Sequence, residues 1–137
     1  MEDFELVFVY GSLKRGFHNR SLLRNSEPLG EAKTNPEFVM YSAGGFPIII
    51  RGKFAITGEI YSVNATTLKK LDRLESNGSM YKRELTWISS IQQFAWIYVY
   101  MYDDFRKSDS MKIKTDSAEN IQTWLGGDIE MDRLLDA

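Results

Sequence analysis

The sequence predicts an α+β fold in which a mixed or antiparallel sheet can curl into a small β-barrel with a few short flanking helices. Several segments rich in β-branched and aromatic residues follow one another closely, and only two or three short helical patterns interrupt them. The order does not alternate strand and helix, as a parallel sheet built from βαβ units would require. With 137 residues, 43% hydrophobic and 26% charged, the chain has the composition of one compact unit, and we assign residues 1–137 to a single domain.

The predicted strands and extended segments share a high content of large apolar residues and are bounded by turn-forming residues. They are residues 5–10, 30–33, 38–41, 56–63, 82–89 and 94–101. We expect a turn at the stretch SAGGFP and a long polar surface loop over residues 106–120.

Three helices are predicted. A short one lies around residues 19–24. The next begins after Asn64, a favourable N-cap residue, and runs through ATTLKKLDRLE until SNG ends it. The last one, SAENIQTWL, begins near Asp116 or Ser117 and ends at two glycines.

Composition excludes several kinds of site and partner. The chain has no cysteine and one histidine, which excludes thiolate chemistry and leaves no evident metal-ligand cluster, so we predict no metal. A net charge of −2 offers no general attraction to nucleic acid or to an anionic membrane. The acidic start lacks the pattern of a secretory signal, and no apolar run is long enough to cross a bilayer. We therefore expect a cytoplasmic protein without a nucleic-acid or membrane partner.

The stretch VYGSLKRG, residues 9–16, has two interpretations. Gly11 and Ser12 follow a predicted strand, and successive backbone N–H groups there could converge on a carboxylate or phosphate. Alternatively, the glycine only permits a tight turn, the serine caps the next segment, and Lys14 and Arg15 are solvated. Spacing alone favours the second interpretation, and it matches neither a dinucleotide-binding motif nor a P-loop.

The predicted helix after Asn64 carries an acid on its apolar side. On a helical wheel Leu68, Leu71 and Leu74 form one arc, and Glu75 falls within it. Burial and the negative end of the helix dipole would both disfavour the ionised carboxylate and raise its pKa, which suits a proton acceptor. If the helix instead ends at Leu74, Glu75 points to water, or Arg83 or another cation pairs with it. The sequence supports both interpretations equally.

Five segments occur together in an order that resembles the γ-glutamyl cyclotransferase-like family, particularly its small γ-glutamylamine cyclotransferase branch. They are VYGSLKRG, FPIII, ITGEIYSV, LDRLESNGSMYKRE and AWIYVY, and they span roughly residues 8–100. The resemblance implies a small β-barrel with a pocket between the VYGSLKRG loop and Glu75. It also implies an enzyme that needs no cofactor and that acts on a small-molecule γ-glutamyl substrate.

In such a site the backbone at Tyr10, Gly11, Ser12 and Leu13 would hold the γ-glutamyl group, and Glu75 would be the catalytic acid and base. An intramolecular aminolysis would then release 5-oxoproline and a free amine. The resemblance does not identify that amine.

Tyr81 and Arg83 match a Tyr-x-Arg pair of the family, and the resemblance gives them supporting roles in shaping the pocket or orienting Glu75. Ordinary strand packing is the alternative for both residues. The rival function is a non-catalytic binding or interaction module that keeps the same pocket, with Glu75 recognising an amine.

Overall fold

The computed structural model describes most of the chain from residue 3 to residue 104 and two short segments beyond it. The described residues are 3–11, 20–43, 46–75, 77–102, 104, 115–116 and 121–123, with the backbone alone for 20–21 and 115–116.

Within these residues the fold consists of nine strands, one α-helix and one 3-10 helix. The strands are β1 (Phe4–Val9), β2 (Glu27–Lys33), β3 (Phe38–Ser42), β4 (Pro47–Arg51), β5 (Ala55–Asn64), β6 (Tyr81–Ile88), β7 (Gln93–Tyr100), β8 (Thr115–Asp116) and β9 (Ile121–Gln122). The helices are the 3-10 helix Arg20–Leu23 and α1 (Ala65–Leu74).

Seven strands form one mixed sheet around β1 and β5. The sheet order is β6-β7-β1-β5-β9-β8, and β2 pairs with β5 off this path. β1 is antiparallel to β5 and parallel to β7, while β3 and β4 form a separate antiparallel pair. The α+β class is confirmed.

The predicted closure into a barrel is wrong for the described part of the chain. A closed barrel needs two neighbours for every strand. Among the described residues β6 pairs with β7 alone and β8 with β9 alone, so the two ends of the sheet do not meet.

Both faces of β5 are buried, and this gives the domain two apolar clusters. Ile56 and Ile60 belong to one cluster, whereas Tyr61 and Val63 belong to the other. Leu71 of α1 is fully buried in the Tyr61 cluster. The helix therefore packs on the face of the sheet that also carries Tyr61 and Val63.

One glycine of β5 is required by close packing. A Cβ at Gly58 would lie 2.3 Å from the carbonyl oxygen of Val9 and 2.7 Å from Cζ of Phe8. Since no other residue lacks this atom, only glycine lets β5 approach β1 so closely.

Helix α1 begins and ends close to its predicted bounds. The Asn64 side chain accepts a hydrogen bond from the N–H of Thr67 at 2.8 Å, so the predicted N-cap is confirmed. The helix ends at Leu74, and the N–H of Glu75 donates to the carbonyl of Leu71 at 3.0 Å.

Leu74 does not share the buried arc of α1, because its side chain is 39% exposed. At about 100° per residue, position 74 lies roughly 120° from Leu68 around the helix axis, whereas position 75 lies only about 20° from it. The apolar arc therefore continues to Glu75 and leaves Leu74 at its outer edge.

Three segments differ from the sequence prediction, and one of them is β8 (Thr115–Asp116), which lies within the predicted loop 106–120. β4 was not predicted as a strand, although four of its five residues are buried. The predicted helix SAENIQTWL is wrong at Ile121–Gln122, which is β9 and pairs in parallel with Ala55 and Ile56.

The side chain of Gln122 explains why this segment is extended. It is fully buried, and its Oε1 accepts a hydrogen bond from the N–H of Met40 at 2.5 Å. This contact attaches β9 to β3. The other residues of the predicted helix, 117–120 and 124–125, and most of the predicted loop 106–120 lie outside the described residues.

No helix in the part of the chain described above combines the length and apolar character that crossing a bilayer would need.

Candidate active site

Glu75 is the first residue beyond α1, and its carboxyl group is turned into the domain. The residue is only partly accessible, with φ −88° and ψ 2°. Burial raises its pKa from 4.5 to about 7, because the charged form loses the solvation of water. Among the described residues no lysine, arginine or histidine forms a salt bridge with it. Both interpretations of the sequence are thus partly right: the helix ends at Leu74, yet the acid lies inside.

Three tyrosines from three places in the sheet lie within electrostatic range of this carboxyl: Tyr10 after β1, Tyr81 at the start of β6 and Tyr98 within β7. Burial is the main cause that raises the pKa of each phenol, and the negative charge of Glu75 raises each pKa further. All three hydroxyls therefore remain protonated at neutral pH.

These tyrosines donate their protons to other acceptors. The hydroxyl of Tyr10 donates to the carbonyl of Tyr98, and that of Tyr98 donates to Oδ1 of Asp72 at 2.7 Å. The hydroxyl of Tyr81 donates to the carbonyl of Pro47 at 2.8 Å. Their polar atoms are thus engaged elsewhere, and within the described part of the chain no side-chain hydrogen bond is seen at Glu75.

Pro47 brings the start of the VYGSLKRG loop to the same place. A Cβ at Gly11 would lie 2.9 Å from Cγ of Pro47, and the carbonyl of Pro47 accepts the proton of Tyr81. The structure therefore brings together Tyr10, Gly11, Tyr81 and Glu75. Ser12 and Leu13 lie outside the described residues.

One interpretation of the sequence was that Arg83 pairs with Glu75, but the structure, which describes both residues, shows no ion pair between them. The Nε of Arg83 lies 3.2 Å from Oδ1 of Asp72, and its guanidinium lies 4.4 Å above the ring of Trp96. Glu5 is a weaker partner at 3.9 Å. Among the described residues, Arg83 is thus connected to the site through Asp72 and Tyr98.

Two open grooves lie away from Glu75. One, of about 940 Å³, lies between β2 and the start of β5, and the other, of about 900 Å³, lies beside β6 and β7. Neither is lined by a residue of the predicted site. The described residues contain no group of three or more histidine, cysteine, aspartate or glutamate side chains that could hold a metal ion.

Reasoning from the sequence assigned no role to Pro47 or Tyr98. A signal for Tyr98 was available, because Trp96, Tyr98 and Tyr100 alternate along β7 and so share one face. Tyr81 and Arg83 pair with Tyr100 and Tyr98, so the same face continues onto β6. The register between these strands could not be derived from either segment alone.

Together the fold and the geometry define a small α+β domain with a candidate acid–base site at the end of its helix. The profile of the family described as "Gamma-glutamyl cyclotransferase, AIG2-like" matches residues 7–122, and the chain belongs to this family. The resemblance found in the sequence is confirmed.

Individual relatives agree with this assignment. The "Putative gamma-glutamylcyclotransferase" of Vibrio cholerae is 40% identical over 95 residues, which cover 69% of this chain and 81% of that protein. The "Gamma-L-glutamyl-butirosin B gamma-glutamyl cyclotransferase" of Niallia circulans is 26% identical over 127 residues, covering 85% and 81% of the two chains. The crystal structure of an AIG2-like protein from Mus musculus superposes with a TM-score of 0.64 at 28% identity, covering 72% of this chain and 78% of that one.

Proposed function

We propose that this protein is a γ-glutamyl cyclotransferase that releases 5-oxoproline and a free amine from a γ-glutamyl amine or amide. Family membership supports the reaction class. One observation supports Glu75 as the catalytic group. Its carboxyl is buried, has a pKa of about 7 and has no cationic partner among the described residues. An acid and base works best when its pKa lies near the working pH.

In the proposed reaction, the ionised carboxylate of Glu75 takes a proton from the α-ammonium group of the substrate. The freed amine attacks the γ-carbonyl carbon, and the new C–N bond closes a five-membered ring through a tetrahedral intermediate. The protonated carboxyl of Glu75 then gives its proton to the departing nitrogen as the original C–N bond breaks. The ring nitrogen loses its remaining surplus proton to water, and Glu75 ends ionised after taking up one proton and giving one back.

The proposed reaction requires few protein groups besides Glu75. Nucleophile and electrophile belong to one substrate, so binding contributes mainly by holding the reactive geometry. In the proposed site the backbone at Tyr10, Gly11, Ser12 and Leu13 holds the γ-glutamyl group, and N–H groups there stabilise the developing oxyanion. No cofactor or metal takes part in this mechanism, and the substrate is a small molecule.

Tyr81 and Arg83 have supporting roles in this proposal. Tyr81 connects the wall of the site to the loop through the carbonyl of Pro47. Arg83 acts on the site through Asp72 and Tyr98.

The leaving amine is tested with a panel. Purified protein is incubated with γ-glutamyl derivatives of amino acids, of lysine side chains and of an aminoglycoside, the last because of the butirosin relative, and 5-oxoproline is measured. We expect release from at least one member. Glu75→Gln should abolish release and keep substrate binding by calorimetry, whereas Glu84→Gln, a matched change in the surface ion pair with Arg51, should keep full activity.

Binding without turnover in both the wild type and Glu75→Gln would support the rival binding module. Equal activity of the two proteins would show that Glu75 is not the base.

A further inference from the structure

Arg83 has a charged side chain near the candidate site, yet it is held in a different direction. Tyr81 and Arg83 are alternate residues of β6, so both side chains lie on the same face of the sheet. Tyr98 responds to both charges: Arg83 lowers its pKa and Glu75 raises it. The guanidinium and the Glu75 carboxyl therefore lie within electrostatic range of the same phenol.

Asp72 and Trp96 hold the guanidinium in place. Oδ1 of Asp72 lies 3.2 Å from Nε of Arg83 in a salt bridge, and the same oxygen accepts a hydrogen bond from the hydroxyl of Tyr98 at 2.7 Å. The side chains of Asp72 and Arg83 are 23% and 21% exposed, which partly shields this pair from solvent screening. The ring of Trp96 covers one side of the guanidinium.

We propose that Asp72 is a positioning residue that keeps Arg83 on Trp96 and away from Glu75, so that the Glu75 carboxyl remains without a cationic partner. This inference rests on the proposed role of Glu75 as acid and base. It assigns Asp72 an indirect role, since the residue affects Glu75 through the arginine it retains.

The groups that face Glu75 are few among the described residues. Tyr10, Tyr81 and Tyr98 approach it from β1, β6 and β7 and stay neutral, and Asp72 precedes it by one helical turn. Arg83 is the cation that forms a salt bridge with Asp72. Release of Arg83 toward Glu75 would favour the ionised carboxylate and lower its pKa, which would make Glu75 a weaker base.

The test is an NMR titration of the ¹³C-labelled Glu75 carboxyl in the free protein, in four forms: wild type, Asp72→Asn, Arg83→Met and the double variant. We expect a titration midpoint near 7 in the wild type. In Asp72→Asn the midpoint should fall by about one pH unit or more, because an opposite charge within a few ångströms depresses a carboxyl pKa by this amount. Arg83→Met and the double variant should both return a midpoint at or above the wild-type value.

The double variant separates the proposal from the simplest alternative. If Asp72 acted only through its own negative charge, its removal would lower the midpoint equally with or without Arg83. A midpoint that stays low in the double variant, or one that does not move in Asp72→Asn, overturns the proposal.

Folding of each variant is checked by its NMR spectrum and thermal melt. Should Asp72→Asn not fold, Trp96→Leu removes the other support of the guanidinium and should lower the midpoint in the same direction, and no change there overturns the proposal. The titration needs no substrate. A protein that forms no 5-oxoproline contradicts the proposed function, while the midpoints still decide the role of Asp72.

Discussion

Asp72 and Glu75 lie three residues apart at the end of α1, and their carboxyl groups meet opposite surroundings. Asp72 accepts from Tyr98 and is paired with Arg83. Glu75 faces tyrosines whose protons go to other acceptors, and burial raises its pKa to about 7. The comparison teaches that position, rather than residue type, separates an acid held by an arginine and a tyrosine from one whose buried carboxyl can exchange a proton near neutral pH.

The largest expected difference between the two acids is in catalysis. Glu75→Gln should lower the rate of 5-oxoproline release by about 10²–10⁴-fold, because it removes the group that transfers both protons. Asp72→Asn should cost far less, since Asp72 acts through Arg83. Single-turnover rates measured at saturating substrate decide this, and equal losses in the two variants would remove the distinction.

The next prediction concerns stability. The Glu75 carboxyl ionises near 4.5 when unfolded and near 7 when folded, so the folded state binds more protons between these pH values. The contribution of Glu75 to stability is therefore present below pH 4.5 and falls as the pH rises to 7, by about 3 kcal/mol in all at about 1.4 kcal/mol per pH unit.

The glutamine side chain of Glu75→Gln does not titrate, so the stability of this variant should not fall in this way as the pH rises. Urea unfolding of both proteins from pH 4.5 to 8 measures the difference in their free energies of unfolding. Between pH 4.5 and pH 8, the variant should gain about 3 kcal/mol of unfolding free energy relative to the wild type. A difference that is independent of pH would mean that Glu75 titrates alike in the folded and unfolded states.

Two alanine substitutions compare crowding at the site, at Gly11, with crowding at the far end of the β3–β4 pair, at Gly52. Gly11→Ala places a Cβ 2.9 Å from Cγ of Pro47, so the loop or the proline must shift. A displacement of about 1 Å at a site can lower kcat/KM by up to about 100-fold.

Gly52→Ala is the matched control, since its Cβ would lie 2.7 Å from Cβ of Val39. It should reduce the melting temperature and leave kcat/KM unchanged. If both alanine variants lose kcat/KM alike, crowding at Gly11 has no special bearing on the site.

The smallest effect is expected at Tyr81. Tyr81→Phe leaves the buried carbonyl of Pro47 without its donor, which should cost about 1–3 kcal/mol of unfolding free energy. In Tyr102→Phe, the control, the carbonyl of Ser79 also loses a phenol, but this bond is exposed and water can replace the donor. Denaturant titrations of both variants should show a clear loss for the first and almost none for the second.

The parts of the fold that depend on local chemistry could be predicted. β1, the N-cap of α1 at Asn64 and the arc that contains Glu75 follow from spacing and capping alone. The same wheel placed Leu74 within the buried arc, which is wrong because its side chain is 39% exposed, and it left open whether Glu75 points inward.

Features set by distant partners could not be predicted in this way. SAENIQTWL has a helical pattern, but Ile121 and Gln122 are held extended by Ala55, Ile56 and the backbone of Met40. The β4 segment begins at a proline after a turn, and its strand is defined by its pairing with β3. Tertiary pairing overrode local preference in both segments.

The candidate site divides in the same way. Glu75 and Gly11 were identified from sequence, whereas Pro47 and Tyr98 enter the site through contacts between strands far apart in the chain. The partner of Arg83 is Asp72, and this pairing depends on side-chain contacts that join α1 to Arg83 of β6 and Tyr98 of β7.

The pH dependence of kcat/KM for 5-oxoproline release tests the central claim most directly, because it joins the buried carboxyl to the chemistry in one curve. With a responsive γ-glutamyl amine, the acidic limb should have a midpoint near pH 7, below which the rate falls tenfold per pH unit. A rate that stays level from pH 8 down to about 5 would contradict the account, since the essential base would then be an ordinary, solvated acid.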